Sequence, residues 1–157
     1  METLLKGFTL TEKHKSESAA ETVKLAKKFA ARLKENDVVA LSGQLGAGKT
    51  HFIKGIASFF GADGKSVISP TFNIMKEYYG ITMKIYHFDL YRLESHKELE
   101  RIGFRDYTSD EGAICVAEWP EKVMQIAGIY DHVVKISHKG GDKREILFYE
   151  RKGGKKQ

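Results

Sequence analysis

Cysteine, proline and tryptophan are scarce in this chain: one, two and one among 157 residues. A single cysteine excludes an internal disulfide. Cys115 lies inside the apolar run Ala113-Ile114-Cys115-Val116-Ala117 and reads as a small buried hydrophobe. Long apolar runs are also missing; none approaches the roughly 20 residues that span a bilayer. The opening Met1-Glu2-Thr3-Leu4-Leu5-Lys6 has no signal-peptide core or small-residue cleavage site. Low-complexity stretches, internal repeats and Pro/Gly-rich linkers are absent before the last residues. These absences predict one soluble, cytoplasmic domain over residues 1–150 with no membrane contact. They leave the oligomeric state open, monomer or weak oligomer.

The charge balance is less one-sided than it first reads. Lys and Arg number 26 against 21 Asp and Glu, a net of +5. Arg151, Lys152, Lys155 and Lys156 supply four of those charges at the end of the chain. Residues 151–157 therefore read as a basic, disordered tail, the alternative being a contact with RNA phosphates. The remainder is close to neutral and argues against a dedicated nucleic-acid surface.

What is present is Gly43-Gln44-Leu45-Gly46-Ala47-Gly48-Lys49-Thr50, a complete G-x-x-x-x-G-K-[ST] loop. Its flanks suit it. Residues 37–41 form a short apolar run with the pattern of a buried strand. Phe52, Ile53, Ile56, Ala57 and Phe60 then recur on one helical face. Glycines at these positions let backbone N–H groups curl around an anion, and a helix N-terminus adds partial positive charge. Lys49 is placed to meet the β- and γ-phosphates, and the Thr50 hydroxyl to ligate Mg²⁺. The loop predicts binding of a nucleoside triphosphate, with no motif that chooses between ATP and GTP.

Around it the pattern predicts an α/β fold: a P-loop NTPase-like, mostly parallel central sheet with antiparallel strands added and helices on its faces. A strand starts near Gly7–Leu10. A helix follows from Ser18, with Ser18-x-x-Glu21 as a capping box and Thr22, Leu25, Ala26, Phe29, Ala30 and Leu33 facing inward. Residues 73–79 and 82–88 read as a hairpin around Gly80-Ile81, and residues 95–101 as a helix. Residues 112–119 read as another apolar strand. Residues 131–138 and 144–150 are two more strands joined by the loop at 139–143.

A phosphate loop needs an acidic partner for its metal, usually at the end of a nearby buried strand. Asp89 after Ile85–Phe88 and Glu118 after Ile114–Ala117 both qualify. Either could hold Mg²⁺ or orient water, or be a strand-end carboxylate in a cap or surface pair. Ser69-Pro70-Thr71-Phe72 reads as a stiff turn before a strand; Thr71 would alternatively sense a γ-phosphate. Trp119 reads as core packing, with a ring beside the nucleotide as its alternative. His87 reads as a histidine hydrogen-bonded at a strand end.

In order, the phosphate loop, Ser69-Pro70-Thr71-Phe72, His87-Phe88-Asp89-Leu90-Tyr91-Arg92-Leu93 and Glu118-Trp119-Pro120 resemble one family. It is the TsaE (YjeE-type) ATPases of bacterial tRNA threonylcarbamoyladenosine biosynthesis, and the likeness runs from about residue 18 to 150. The resemblance implies that Lys49, Asp89 and Glu118 are catalytic and that Thr50, Glu118 and Asp89 serve the Mg²⁺. It implies ATP contacts from Gly43, Gly46, Ala47, Gly48, Lys49, Thr50, His51 and Thr71. A base pocket would lie near Ser18 to Thr22 and Lys143-Arg144, which adds Ser18 and Arg144. Gln44 and His51 depart from the family's usual Asp and Thr, without removing a phosphate or metal contact. The implied role is slow ATP hydrolysis coupled to a TsaB–TsaD-type complex, with tRNA engaged indirectly through it. A small-molecule kinase and a nucleotide-regulated RNA-binding module remain the competing readings.

Overall fold

The computed structural model describes residues 1–70 and 73–153. Its centre is a seven-stranded sheet. In chain order the strands are β1 (Phe8–Ser16), β2 (Val38–Ser42), β3 (Met75–Tyr79), β4 (Lys84–Asp89), β5 (Ala113–Glu118), β6 (His132–His138) and β7 (Arg144–Arg151). Across the sheet the order is β1-β7-β6-β2-β5-β4-β3. The middle four, β6-β2-β5-β4, run parallel, while β1, β7 and β3 pair antiparallel at the two edges. This is the mixed α/β sheet that the sequence pattern predicts.

Strand β2 is buried at every position because helices cover both of its faces. Its alternation divides the interior into two layers. Val39 and Leu41 join Ile114 and Val116 of β5 beneath α1 (Ala19–Ala30) and α2 (Lys49–Phe59). Val38 and Ala40 join Ala113, Cys115 and Ala117 on the opposite face. There Leu99 of α3 (His96–Arg101) and Phe104 of α4 (Phe104–Thr108) cover them. Cys115 is buried, as its apolar setting indicates. Helix α1 presents Thr22, Ala26, Phe29 and Ala30 inward, and Ser18 caps it by accepting the Glu21 N–H. Gly55 lets α1 and α2 press together, since a Cβ there would lie 2.5 Å from that of Ala26.

Four details differ from the sequence expectation. Strand β1 extends to Ser16, well past Leu10; its polar second half is an edge strand held by the β7 ladder. The hairpin strands begin later than expected, at Met75 and Lys84; the second does so because Ile81 and Thr82 donate their N–H groups to the Phe60 carbonyl at the end of α2. Helix α4 carries too few apolar residues in its single turn to announce itself. Arg151 is not part of a tail. It pairs with Phe8 in the sheet, donates to the Tyr130 and Ala127 carbonyls at 2.7 and 2.8 Å, and lies over the Phe8 ring. Lys155 and Lys156 lie outside the described residues. No helix among the described residues is long and apolar enough to cross a membrane.

Candidate functional site

The chemistry-bearing side chains gather where the parallel strands end. In the β2–β5–β4 register Leu41 stands beside Glu118 and Glu118 beside Asp89, so one row places both carboxylates next to the loop that leaves β2. This is the edge where open α/β sheets bind ligands. A cavity of about 620 Å³ opens there, walled by loop residues Gln44 to His51 except Ala47, by Asp89 and Glu118, and by Ser69, Tyr91, Trp119 and Arg144.

The loop's shape follows from its glycines. Gly46 and Gly48 have φ of 80° and 104°, a region that side-chain-bearing residues rarely adopt. Gly43 is required for space instead: a Cβ there would sit 2.8 Å from the Ile136 carbonyl oxygen. Gly48 is the N-cap of α2 and has no side chain to bond the first-turn N–H groups. Those donors and the helix dipole therefore face the cavity, a setting built for an anion.

Lys49 is buried, and its ammonium donates to the Gly43 carbonyl at 2.7 Å. It also sits 3.8 Å from the centre of the Trp119 ring. Burial pushes its pKa down, while the charges of Glu118, Asp89 and Glu121 oppose that shift. Trp119 thus meets both readings of the sequence: it packs against the core cluster and presents its ring to the cavity. It adopts a left-handed backbone, φ 58° and ψ 51°, immediately before Pro120. Such a conformation costs about 1–3 kcal/mol and concentrates at functional sites. Its ring packs on Tyr91 with centroids 4.9 Å apart. The turn that follows brings Glu121 back to accept a hydrogen bond from Ser42, the residue before the loop.

Glu118 is fixed from inside the sheet. His87, fully buried, meets its Oε2 through Nε2 at 2.6 Å. The other ring nitrogen meets the Tyr78 hydroxyl at 2.9 Å, and that hydroxyl donates to the Ile68 carbonyl at 2.9 Å. Burial raises the Tyr78 hydroxyl pKa to about 12, the Ile68 bond opposing and the Glu118 charge adding to it. The strand-end reading of His87 holds, and its partner is the candidate carboxylate itself. Asp89 accepts the Tyr91 N–H at 3.0 Å and a long 3.4 Å bond from the Ser69 hydroxyl.

Of the residues singled out in the sequence, Gly46, Gly48, Lys49, Thr50, His51, Asp89, Glu118 and Arg144 all line the cavity. Gly43 and Ala47 form the loop beneath it. Ser18 is not brought there: it is the cap of α1 and is absent from the cavity wall. Thr71 lies outside the described residues. Sequence reasoning passed over Glu121 and Tyr91. The proximity of Glu121 to Glu118 was the one signal for the first, and the tyrosine within the Asp89–Leu93 segment for the second.

The residues present fit a magnesium-bound polyphosphate. The glycine cradle faces an uncapped helix start, the buried Lys49 ammonium points into it, and two carboxylates stand beside it.

Comparison with known proteins gives the family. The family model described as "Threonylcarbamoyl adenosine biosynthesis protein TsaE" matches residues 16–146. The chain belongs to the TsaE family. A Bacillus subtilis TsaE, "tRNA threonylcarbamoyladenosine biosynthesis protein TsaE", is 41% identical over 128 residues, covering 82% of this chain and 78% of that one. A Rickettsia conorii TsaE of the same description is 43% identical over 113 residues, covering 72% of this chain. The match spans 63% of the R. conorii relative and 61% of a Rickettsia felis relative, just under two thirds of each. The crystal structure of Bacillus subtilis YdiB superposes with a TM-score of 0.68 at 32% identity, covering 91% of this chain and 88% of that one.

Proposed function

We propose that this chain binds Mg²⁺–ATP on the 43–50 loop and hydrolyses it to ADP and phosphate. The hydrolysis serves formation of threonylcarbamoyladenosine in tRNA, the process for which its relatives are named. The observation that carries the reading is the row of Glu118 and Asp89 beside a buried Lys49 on the ligand edge of the sheet. Magnesium–ATP, when bound, supplies an electrophilic γ-phosphorus and a leaving diphosphate.

The chain's own groups account for the rest. The loop N–H groups and Lys49 bind and orient polyphosphate oxygens and offset their charge. Thr50 and Asp89 would hold the metal. Glu118, pinned by His87 through one oxygen, offers the other to the metal or to the proton of an attacking water. Trp119 and Tyr91, packed ring on ring, form one aromatic wall of the cavity.

A partner complex of the TsaB–TsaD type completes the site in this reading, so hydrolysis by the isolated chain is slow. The test is phosphate release by the wild type, Lys49→Ala and Glu118→Gln, with and without that complex. Lys49→Ala is expected to lose binding; Glu118→Gln is expected to bind and fail to turn over. Undiminished turnover in Lys49→Ala overturns the proposal. A phosphorylated small-molecule product, sought by mass spectrometry, would instead favour a kinase.

A further inference from the structure

Arg144 opens β7, almost a hundred residues beyond the phosphate loop, yet its guanidinium is bonded to that loop. Nε donates to the Ala47 carbonyl at 2.8 Å and Nη2 to the Gly46 carbonyl at 3.2 Å. Nη1 donates backwards to Gly141 at 2.9 Å and Lys143 at 3.0 Å. All four bonds end on backbone carbonyls, and Arg144 forms no ion pair among the described residues. The guanidinium packs beside Gly48, where a Cβ would meet Nε at an ordinary contact distance of 3.7 Å; what requires glycine there is its φ of 104°.

The peptide bond explains what such a contact does. In a trans, planar peptide the C=O and the following N–H point in opposite directions. Holding the Ala47 oxygen outward on Arg144 therefore turns the Gly48 N–H inward, toward the cavity. The Gly46 bond likewise fixes the next plane back, whose Ala47 N–H closes the turn on Gln44 at 3.0 Å. Ordinary glycine-rich turns are mobile, because glycine has the most backbone freedom to lose. A charged fork bonded to two successive carbonyls removes that freedom and polarises both amides toward the anion. Its uncompensated charge adds to the same field.

We propose that Arg144 is a positioning residue for the phosphate loop: it latches the Gly46 and Ala47 carbonyls and so sets the amide cradle, whatever base the nucleotide carries. The inference deepens the polyphosphate reading of the loop and rests on it. It also departs from the expectation that Arg144 belongs to a base pocket, which predicts a different outcome.

The experiment uses the full chain, with Arg144→Gln and Arg144→Lys as variants. Calorimetry with Mg²⁺ measures affinity for ATP and for inorganic triphosphate, and amide hydrogen exchange follows Gly48. A latch requires both probes to weaken by the same factor in Arg144→Gln, roughly ten- to hundred-fold, the worth of charge-assisted hydrogen bonds. Exchange at Gly48 quickens in the absence of any ligand. Lysine keeps the charge but cannot span two carbonyls, so Arg144→Lys falls between the two. Weakened ATP binding with unchanged triphosphate binding overturns the proposal in favour of a base contact. Unchanged Gly48 exchange overturns it even should the wild type bind neither probe, an outcome that would separately end the nucleotide reading.

Discussion

Tyr78→Phe removes one oxygen from the buried chain that runs from Ile68 through Tyr78 and His87 to Glu118. The ring keeps its volume, so no cavity forms and the effect isolates the hydroxyl. Two groups lose their partner. The Ile68 carbonyl belongs to an exposed residue of an irregular segment, where it has more access to a replacement partner than a group inside the sheet. His87 is fully buried, and its Nδ1 has no such recourse. One buried group left unsatisfied costs about 1–3 kcal/mol. For a domain of this size each kcal/mol moves Tm by roughly 2–4 °C, so a fall of roughly 2–12 °C is expected.

Alkaline pH gives a second signature. The folded Tyr78 hydroxyl holds its proton to about pH 12, against an ordinary value of 10.0. Between those values the unfolded chain has lost a proton that the folded chain keeps, so stability falls as pH rises. That contribution is complete below the unfolded value and gone above the folded one. The difference between wild-type and Tyr78→Phe stability is therefore flat below about pH 10 and shrinks across the window above it. Thermal melts followed by circular dichroism from pH 7 to pH 11 read both effects. Under the proposed function, kcat also falls roughly ten- to hundred-fold with little change in KM, because Glu118 loses its alignment. A variant that melts with the wild type at every pH would show that the hydroxyl bridges nothing.

Gly55→Ala should destabilise although alanine is the better helix former by about 1 kcal/mol, because the added carbon meets the Val23 carbonyl and Ala26 across the α1–α2 contact. Overpacking of this kind costs about 1–3 kcal/mol, and a melt at or above the wild-type temperature would contradict the packing. Glu12 has its carboxyl pKa held below the ordinary 4.5, chiefly by the Arg32 hydrogen bond, with burial opposing and His14 assisting. A carboxyl depressed in the folded state stabilises above its unfolded pKa and loses that contribution as pH falls through the folded one. Glu12→Gln should accordingly melt below the wild type at pH 7, by at most about 1 kcal/mol for a partly exposed pair, and alongside it near pH 2. A gap that widens on acidification would reverse the sign.

Local features were legible in the sequence, and long-range ones were not. The phosphate loop declares itself because its motif, strand and helix are contiguous. Strands β2 and β5 declare themselves because burial on both faces demands unbroken apolar runs. Asp89 and Glu118 could be nominated as strand ends. That they share a register row depends on the strand order, which no local pattern encodes. Trp119 was left between core packing and a place beside the nucleotide because a lone aromatic after an apolar strand fits either, and it packs against the core while its ring lines the cavity. Only the left-handed turn before Pro120 swings its ring under Lys49. The latch by Arg144 depends on a hairpin carrying residue 144 back across β6, beyond any window of sequence periodicity.

The two carboxylates, held by different partners, lead back to one short segment. Glu118 reaches the Ile68 carbonyl through His87 and Tyr78, and Asp89 reaches the Ser69 hydroxyl directly. Adjacent residues just before Pro70 are thus linked to both acids of the candidate site, Ile68 through two side chains and Ser69 directly, so a displacement of that turn-forming stretch disturbs the pair together. Such an arrangement predicts energetic coupling between positions that do not bond each other. Ser69→Ala removes the long bond to Asp89 along with the other contacts of its hydroxyl, and should cost less turnover than Tyr78→Phe. Combined with Tyr78→Phe it should depart from additivity by about 0.5–3 kcal/mol in kcat/KM, the range for residues sharing a network. The sign is informative. A smaller combined loss means that either substitution already frees the turn; a larger one means that each bond restrains it independently until both are gone. Strict additivity would mean that the turn transmits nothing, leaving Glu118 and Asp89 positioned only by their own strands.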